Sequence, residues 1–385
     1  MAEAYTAPNS TQLMTWKQDL SDRRCLGHHG HVTALQYTFA CPGGADTLQG
    51  SLVCPVDERV PALEPGRLVT AVRGGHTVWT GTMNEPSPSS GGTGWDFTAQ
   101  GAGQLAANFL AIYTSTWPAG EPDQPINNAI TRGLKWVNPG VGSPSGIWLG
   151  QAVDSAAQTV ADILNLVCTR GGLTWYVNSQ PGGPQGNSLS VFALPSQVNR
   201  LLVCNTPVAR TLDGNINTIY IRYEVSADDA TSGAAAVYAT TVVTNAADIA
   251  AHGPQETFID LSDVGVMTAG QAQAVGNFSL SVYQRVTFSG PFQVMPGQLL
   301  TTGGTPIDPG TDQAGTVVRL ITTDLGYGGE VTEQYPVTFI VGGYEWDDQQ
   351  QIATVTPFQS LFQSLSDILS MENTVLTPLD TTTTS

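Results

Sequence analysis

The sequence predicts a mainly β protein with a small α+β insertion, and three observations support that fold class. The 385 residues include 42 glycines and 24 prolines, which favours many turns between short segments. Several segments, such as 31–41 and 65–83, alternate apolar and polar residues with the period of a strand. Hydrophobic residues make up 41% of the chain and charged residues only 12%, so the surface must be largely Thr, Ser, Gln, Asn and Gly. Such a surface is typical of a protein packed into an assembly.

The first part of the chain predicts an arm and a β domain. Residues 1–19 are assigned to an N-terminal arm because their beginning is polar and aperiodic. Residues 20–112 are predicted to form a first β-barrel, since their strands are short and punctuated by Gly and Pro. Its elements in order are strands at 31–41 and 47–55, a hairpin at 65–83 turning at Gly74-Gly75, a strand at 94–101 and a helix at 103–112.

The rest of the chain predicts an insertion, a second β domain and a terminal helix. Residues 113–205 are turn-rich and contain one amphipathic helix, 155–168, capped at Asp154 or Ser155, before two strands. Residues 206–357 are β-rich again and are predicted to form a second barrel. Its elements in order are strands at 217–224 and 239–245, a helix at 267–284 with Thr268 as cap, and strands within 288–294, 316–323, 336–348 and 351–357. Residues 358–385 follow as an amphipathic helix and a flexible tail.

Charge and composition exclude several classes of protein. The formal net charge is −18 and no stretch is rich in Lys or Arg, which argues against sequence-specific DNA binding. No apolar region follows the first Met and no run of 18 apolar residues occurs, so neither a signal peptide nor a transmembrane helix is predicted. Five irregularly spaced cysteines do not form a disulfide framework, which favours synthesis and folding in a reducing cytoplasm.

The densest chemical cluster in the sequence is "CLGHHGH". Its Cys25, His28, His29 and His31 are residue types that bind zinc, but their spacing fits no known finger or catalytic motif. They are weak candidates, because the alternative is a flexible segment in which the histidines occur by chance. We predict no metal and no cofactor. On adjacent predicted strands, Cys41 and Cys54 could instead form a cross-strand disulfide.

Catalytic patterns are equally sparse, and no catalytic residue is predicted. His76 and His252 have no G-x-S-x-G nucleophile nearby in sequence. The acidic pairs Asp228-Asp229 and Asp347-Asp348 could serve a glycosidase, but adjacent acids are more often solvated loop charge. Residues 309–315 resemble a phosphate loop but lack its G-K-[ST] ending, so a β-turn explains them better.

The C-terminal segment "FQSLFQSLSDILS" has helical spacing of apolar residues. A membrane surface could bind such a stripe, but basic residues are missing, so no stable membrane insertion is expected. We expect the stripe to be buried against another chain, because it begins after the last predicted strand and a short helix alone is marginal in water. The predicted interface residues are Phe358, Leu361, Phe362, Leu365, Ile368 and Leu369.

Two parts of the sequence resemble a known family. The hairpin "PGRLVTAVRGGHTVWTG" and the later strand ending "TAQGAGQLA" resemble the first barrel of phage tail hub proteins. The segments "GPQETFIDLSDVGVMTAGQAQAVGNFSL", "LLTTGGTPIDPGTDQAGTVVRL" and "PVTFIVGGYEWDD" are similar to the second half of hub or minor tail proteins of long-tailed phages that infect actinobacteria. The resemblance lies in the order of the elements and in short sequence segments, and it covers about residues 20–357.

This resemblance implies a structural virion protein without enzymatic activity. Tail hub proteins form a trimeric ring at the tail tip, in which two tail-tube-like barrels per chain match the sixfold tube to a threefold tip. The implied partners are two more copies, the distal tail protein, the tape-measure protein and other tail-tip proteins, with DNA only passing through the lumen. Three alternatives stay open: a hexameric distal tail adaptor, a tail-associated cell-wall hydrolase and a receptor-binding tip protein.

Overall fold

The computed structural model describes residues 10–55, 60–89, 92–110, 130, 134, 136–138, 158–171, 174–179, 186–192, 197–204, 216–226, 235–283, 291–322 and 338–358. Within these ranges the chain is mainly β, with one sheet of 16 strands and a second sheet of three. The predicted fold class is therefore confirmed at this level. No helix in the described ranges is long and apolar enough to cross a membrane.

The N-terminal strands follow the predicted order closely. They are β1 (Gln12–Trp16), β2 (Arg24–Cys25), β3 (His31–Ala40), β4 (Gly43–Val53), β5 (Leu68–Arg73), β6 (His76–Met83), β7 (Ser87–Pro88) and β8 (Gly94–Gly101), followed by helix α1 (Ala102–Asn108). Strands β5 and β6 form the predicted hairpin, and Gly74 and Gly75 both have positive φ, as its tight turn requires. Strand β1 pairs with β5, so part of the predicted arm belongs to the sheet.

The middle of the chain contributes a helix and three strands. These are α2 (Val160–Gly171), β9 (Thr174–Asn178), β10 (Ser188–Phe192) and β11 (Arg200–Cys204). Helix α2 begins later than predicted because Thr159 and Asp162 cap it reciprocally, Thr159 Oγ1 accepting from the Asp162 N–H at 3.1 Å and Asp162 Oδ2 from the Thr159 N–H at 2.8 Å. The predicted caps Asp154 and Ser155 lie outside the described residues. Strand β9 also pairs with β4, which joins this segment to the large sheet.

A separate α/β unit follows. It consists of β12 (Thr218–Ser226), β13 (Val237–Thr244), α3 (Ala246–His252), β14 (Glu256–Val266) and α4 (Ala269–Tyr283). The predicted cap of α4 is confirmed, since Thr268 Oγ1 accepts from the Gln271 N–H at 3.3 Å and Gln271 Oε1 from the Thr268 N–H at 2.8 Å. The predicted inner residues Ala272, Val275 and Leu280 are buried with the apolar side chains of β12 and β14 in a core of their own.

The last strands return to the large sheet. They are β15 (Phe292–Val294), β16 (Leu299–Thr301), β17 (Val317–Thr322), β18 (Thr338–Asp347) and β19 (Ile352–Pro357). Strand β18 pairs with β3, so the C-terminal strands and the N-terminal strands share one sheet and one core, which runs from Leu13 to Phe358. The main path of this sheet runs β16-β11-β17-β18-β3-β4-β8-β6-β5-β1-β2.

This pairing divides the chain differently from the predicted boundaries. Residues 206–357 were expected to form one barrel, but their described part separates into the α/β unit and the strands from β15 onward. Strand β11, from the predicted insertion, lies between β16 and β17. The reason is that the strands of 218–266 have their own helix to cover one face, whereas the later strands complete the sheet begun by β3.

Candidate functional site

The four weak metal candidates lie between β2 and β3. Cys25 ends β2, His28 ends the 3-10 helix Leu26–His28, and His31 begins β3. An open cavity of about 510 Å³ is lined by Met14, Arg23, Arg24, Cys25, His28 and His29. Within the described residues, no three His, Cys, Asp or Glu side chains are arranged to hold a metal ion. His28 and His29 therefore line a surface cavity together with Arg23 and Arg24.

The suggested disulfide between Cys41 and Cys54 is wrong, because neither cysteine is in a disulfide. The two cysteines lie at opposite ends of the eleven-residue strand β4, so the hairpin keeps them apart. Cys41 is buried, with its Sγ 3.8 Å from Thr174 Oγ1. Burial raises the pKa of Cys41 to about 11, and burial also raises the pKa of Cys168.

These environments predict a selective pattern of thiol alkylation. At pH 8 we expect iodoacetamide to modify the partly exposed Cys25 while sparing Cys41, Cys54 and Cys168, because only an accessible thiolate reacts. Fragmentation of the tryptic peptide 25–59, which contains Cys25, Cys41 and Cys54, and of the peptide that contains Cys168 locates the label, and unfolding in urea should make all five cysteines of the chain reactive. Modification of Cys41 and Cys168 in the folded chain at the rate of Cys25 would contradict the buried environments.

The candidate catalytic groups make structural contacts. His252 Nδ1 lies 2.8 Å from Asp248 Oδ1, four residues earlier on α3, and Asp248 also accepts from Asn217 at 2.9 Å. Asp347 accepts the backbone N–H groups of Gln349 at 2.9 Å and Gln350 at 2.8 Å, which closes the β18–β19 turn. The pair Asp228-Asp229 lies outside the described residues.

The most buried charge in the large core is Arg73, at the end of β5. Its side chain is 1% exposed and all three guanidinium nitrogens donate. Nε donates to Asp308 Oδ2, Nη1 to Asp348 Oδ1 and Nη2 to Gln351 Oε1, each at 2.7 Å. Thr11 Oγ1 donates to the same Asp348 oxygen at 2.6 Å. We call these five residues the Arg73 network; it ties the β5–β6 hairpin and the start of β1 to the C-terminal strands.

Aromatic residues surround the Arg73 network. The guanidinium lies 4.7 Å from the ring centroid of Trp346, a distance at which cation–π attraction acts. The hydroxyls of Tyr37 and Tyr344 donate to the carbonyls of Gly310 and Pro309, each at 2.6 Å. The turn Pro309–Thr311, which resembles a phosphate loop in sequence, is thereby held inside the molecule by β3 and β18.

A second feature is the outer face of the three-stranded sheet. Strand β12 is central, and the register places Val242, Tyr220 and Phe258 in one row across the three strands. All three are exposed, Phe258 to 57%, while their neighbours Ile219, Ile221 and Ile259 point to the covered side and are buried. A covered face opposite a polar one is the usual arrangement for such a sheet, so an aromatic and aliphatic outer row is unusual.

Polar and charged groups flank the outer row. Arg222 lies 4.5 Å from the Tyr238 ring centroid, and its Nη1 lies 3.6 Å from Asp260 Oδ2. Tyr220 OH donates to Glu256 Oε1 at 3.2 Å. We call the surface formed by Tyr220, Arg222, Tyr238, Val242 and Phe258 the open face. Chemically it can form a packed protein contact rather than bind a small polar ligand.

The predicted interface residues are only partly described. Phe358 is 6% exposed and packs into the core of its own chain, so little of its side chain is left for a contact with another chain. Leu361, Phe362, Leu365, Ile368 and Leu369 lie outside the described residues. Sequence analysis missed both the Arg73 network and the open face; the only local signals were an Arg at an inward position of β5 and aromatic residues at outward positions of β12 and β14.

No family model matches the chain, and no curated protein matches it in sequence. Solved structures do. A tail protein from Neisseria meningitidis MC58 aligns with a TM-score of 0.56 and 12% identity over 91% of this chain and 96% of that one. The 43 kDa tail protein of prophage MuSo2 from Shewanella oneidensis aligns with a TM-score of 0.53 and 15% identity over 90% and 97%.

A third structure extends this likeness. Prophage tail protein gp18 from Listeria monocytogenes EGD-e aligns with a TM-score of 0.56 and 10% identity over 95% of this chain and 99% of that chain. In each case the alignment covers nine tenths or more of both chains. The chain therefore has the fold of these three tail proteins.

Proposed function

We propose that this chain is a structural, non-enzymatic component of a phage tail and so of the virion. The observation that carries the proposal is the fold match along 90–95% of the chain to three separate tail proteins. The use of Asp347, Asp348 and His252 in internal contacts supports a structural role over a hydrolytic one.

We further propose that the protein is a trimeric hub at the tail tip. The strands β1 to β8 form one group and β11 with β15 to β19 form another, and the two groups meet where β3 pairs with β18. We propose that each group serves as one tail-tube-like unit, so that three chains supply six units to match a sixfold tube. The ring would join the distal tail protein and enclose a lumen for the tape-measure protein and DNA.

Charge supports a channel through which DNA passes without binding. The formal net charge of −18 disfavours the counterion release that drives adhesion to phosphate. Arg67, Arg73 and Arg200 are paired with Asp22, Asp308 and Asp312 and do not form a basic lining. The C-terminal stripe from Leu361 to Leu369 is proposed to contact a neighbouring chain in the ring.

The trimeric hub predicts three copies per tail, located at the tip. A symmetry-resolved electron-microscopy map of purified tails, with the chain located by an inserted epitope, measures both quantities. We expect threefold density at the end remote from the head. Six copies around the tube would instead indicate a distal adaptor, and a location away from the tip would contradict the hub proposal while leaving the tail assignment intact.

A further inference from the structure

The open face is an apolar surface without a cover among the described residues. Of the ten exposed large hydrophobic side chains in the described ranges, six lie on β12, β13 and β14, and the other four are Val53, Phe109, Leu110 and Met295. No second described surface therefore offers a comparable apolar area that could pair with the open face. An occupant therefore comes from outside the described residues.

We propose that the open face receives the C-terminal segment 361–369 of a neighbouring copy of this chain. This inference rests on the proposed assembly of several copies in one tail. The segment carries Leu361, Phe362, Leu365, Ile368 and Leu369 at the spacing of one helix face, so it needs an apolar partner. Docking would turn the two layers of the α/β unit into three, with α4 on one face of the sheet and the incoming helix on the other.

The dimensions of the two surfaces agree. Three strands about 4.8 Å apart give a face about 10 Å wide, which is the diameter of one helix. The open face extends along β12 from Tyr220 to the position of Glu224, opposite Tyr238, which is about 13 Å of strand. A helix covering 361–369 would be about 14 Å long. One helix therefore covers the outer row and its flanking residues.

Charge also favours this occupant. Residues 358–371 contain one acidic residue, Asp367, and no basic one, so the segment adds little to the repulsion between chains that each carry −18. On the open face, Arg222 is 44% exposed and already pairs with Asp260, and Glu256 accepts from Tyr220. The contact is thus apolar at its centre, with the paired charges of the open face at its rim.

Phe358 fixes the place where the segment leaves its own chain. It is buried in the core of the large sheet, whereas the open face is the side of the three-stranded sheet remote from a separate core. Only residues 359 and 360 separate Phe358 from Leu361. In the proposed contact the segment passes from this anchor to the open face of a neighbouring copy, and contact with the open face of its own chain is the alternative that the experiment distinguishes.

A peptide-binding experiment on the full chain tests the proposal. The double variant Leu361→Asp, Leu365→Asp disables the chain's own segment, and a fluorescent peptide of residues 358–371 supplies it in trans. We expect saturable binding by fluorescence anisotropy. Adding Phe258→Asp should weaken binding about tenfold or more, because one large apolar contact is replaced by a charge. Adding Met295→Asp, a change at a side chain 51% exposed elsewhere, should leave binding unchanged.

Three results would overturn the inference. They are no binding up to about 1 mM peptide, equal loss with Phe258→Asp and Met295→Asp, or binding by the double variant but not by the dilute wild-type monomer. The last result would mean that the segment covers the open face of its own chain. The copy number in purified tails tests the hub proposal separately, so three copies with no peptide binding would refute only this contact.

Discussion

Replacing Arg73 with methionine is expected to lower the free energy of unfolding by about 3 kcal/mol, the lower end of the cost of removing one partner of a buried ion pair, because Asp308 and Asp348 keep 31% and 16% of their side chains exposed. The methionine keeps most of the apolar volume but leaves both carboxylates without the cation they share. Urea unfolding followed by the fluorescence of the eight tryptophans measures the loss.

Arg222→Met is the matched control, since it removes an arginine that also pairs with an aspartate and lies over an aromatic ring. Its side chain is 44% exposed, so the expected loss is only about 0–1 kcal/mol. Similar losses in the two variants would show that the Arg73 network does not join the N-terminal hairpin to the C-terminal strands. Adding Asp308→Asn and Asp348→Asn to Arg73→Met should recover part of the stability, because the two partly buried carboxylates are then no longer charged without a partner.

The double substitution Leu361→Asp, Leu365→Asp is expected to abolish incorporation into tails while leaving the folded chain unchanged. Two carboxylates in the apolar stripe would have to be desolvated at an interface, which costs several kcal/mol per ion. Purified tails analysed by mass spectrometry, together with plaque counts, measure the effect. Thermal unfolding of the isolated chain should be unaltered.

The control for this variant is Gln359→Asp, Gln363→Asp, which adds the same charge at the same spacing on the opposite side of a helix. We expect these virions to assemble normally. If both double variants assemble, the segment does not contact another chain in the tail; if both fail, charge rather than the apolar stripe is responsible.

Sequence predicted the local parts of this fold well. The hairpin of β5 and β6 depends on Gly74-Gly75, and helix α4 depends on the Thr268 and Gln271 cap; both signals lie within a few residues of the structure they produce. Helix α3 was missed because its seven residues have no apolar stripe and bury no side chain, and only the Asn245 cap marks its beginning.

The long-range parts could not be predicted in the same way. Alternation in β3 and β18 shows that each is a strand, but not that Tyr37 will lie opposite Trp346. In the sequence, Arg73 is only the last residue of a predicted strand. Its partners Asp308 and Asp348 lie more than 200 residues later in the chain, so no local pattern shows the contact. The open face could not be predicted for another reason. The residues Ile219, Tyr220 and Ile221 predict a strand that is apolar on both sides, and periodicity does not show which of the two sides is covered by other residues of the same chain.

The pairing of β3 with β18 sets the order of events during synthesis. Gln36 bonds to Asp347, 311 positions later, so β3 has one unpaired edge until the ribosome has made β18. At about 5–20 residues per second that interval is about 15–60 s. During this time the unpaired edge of β3 is exposed, and other nascent chains on the same messenger RNA lie close by. Unpaired strand edges can pair with one another and aggregate. The large sheet is thus completed only after β18 has been made, and the yield of folded protein depends on how well that edge is shielded until then.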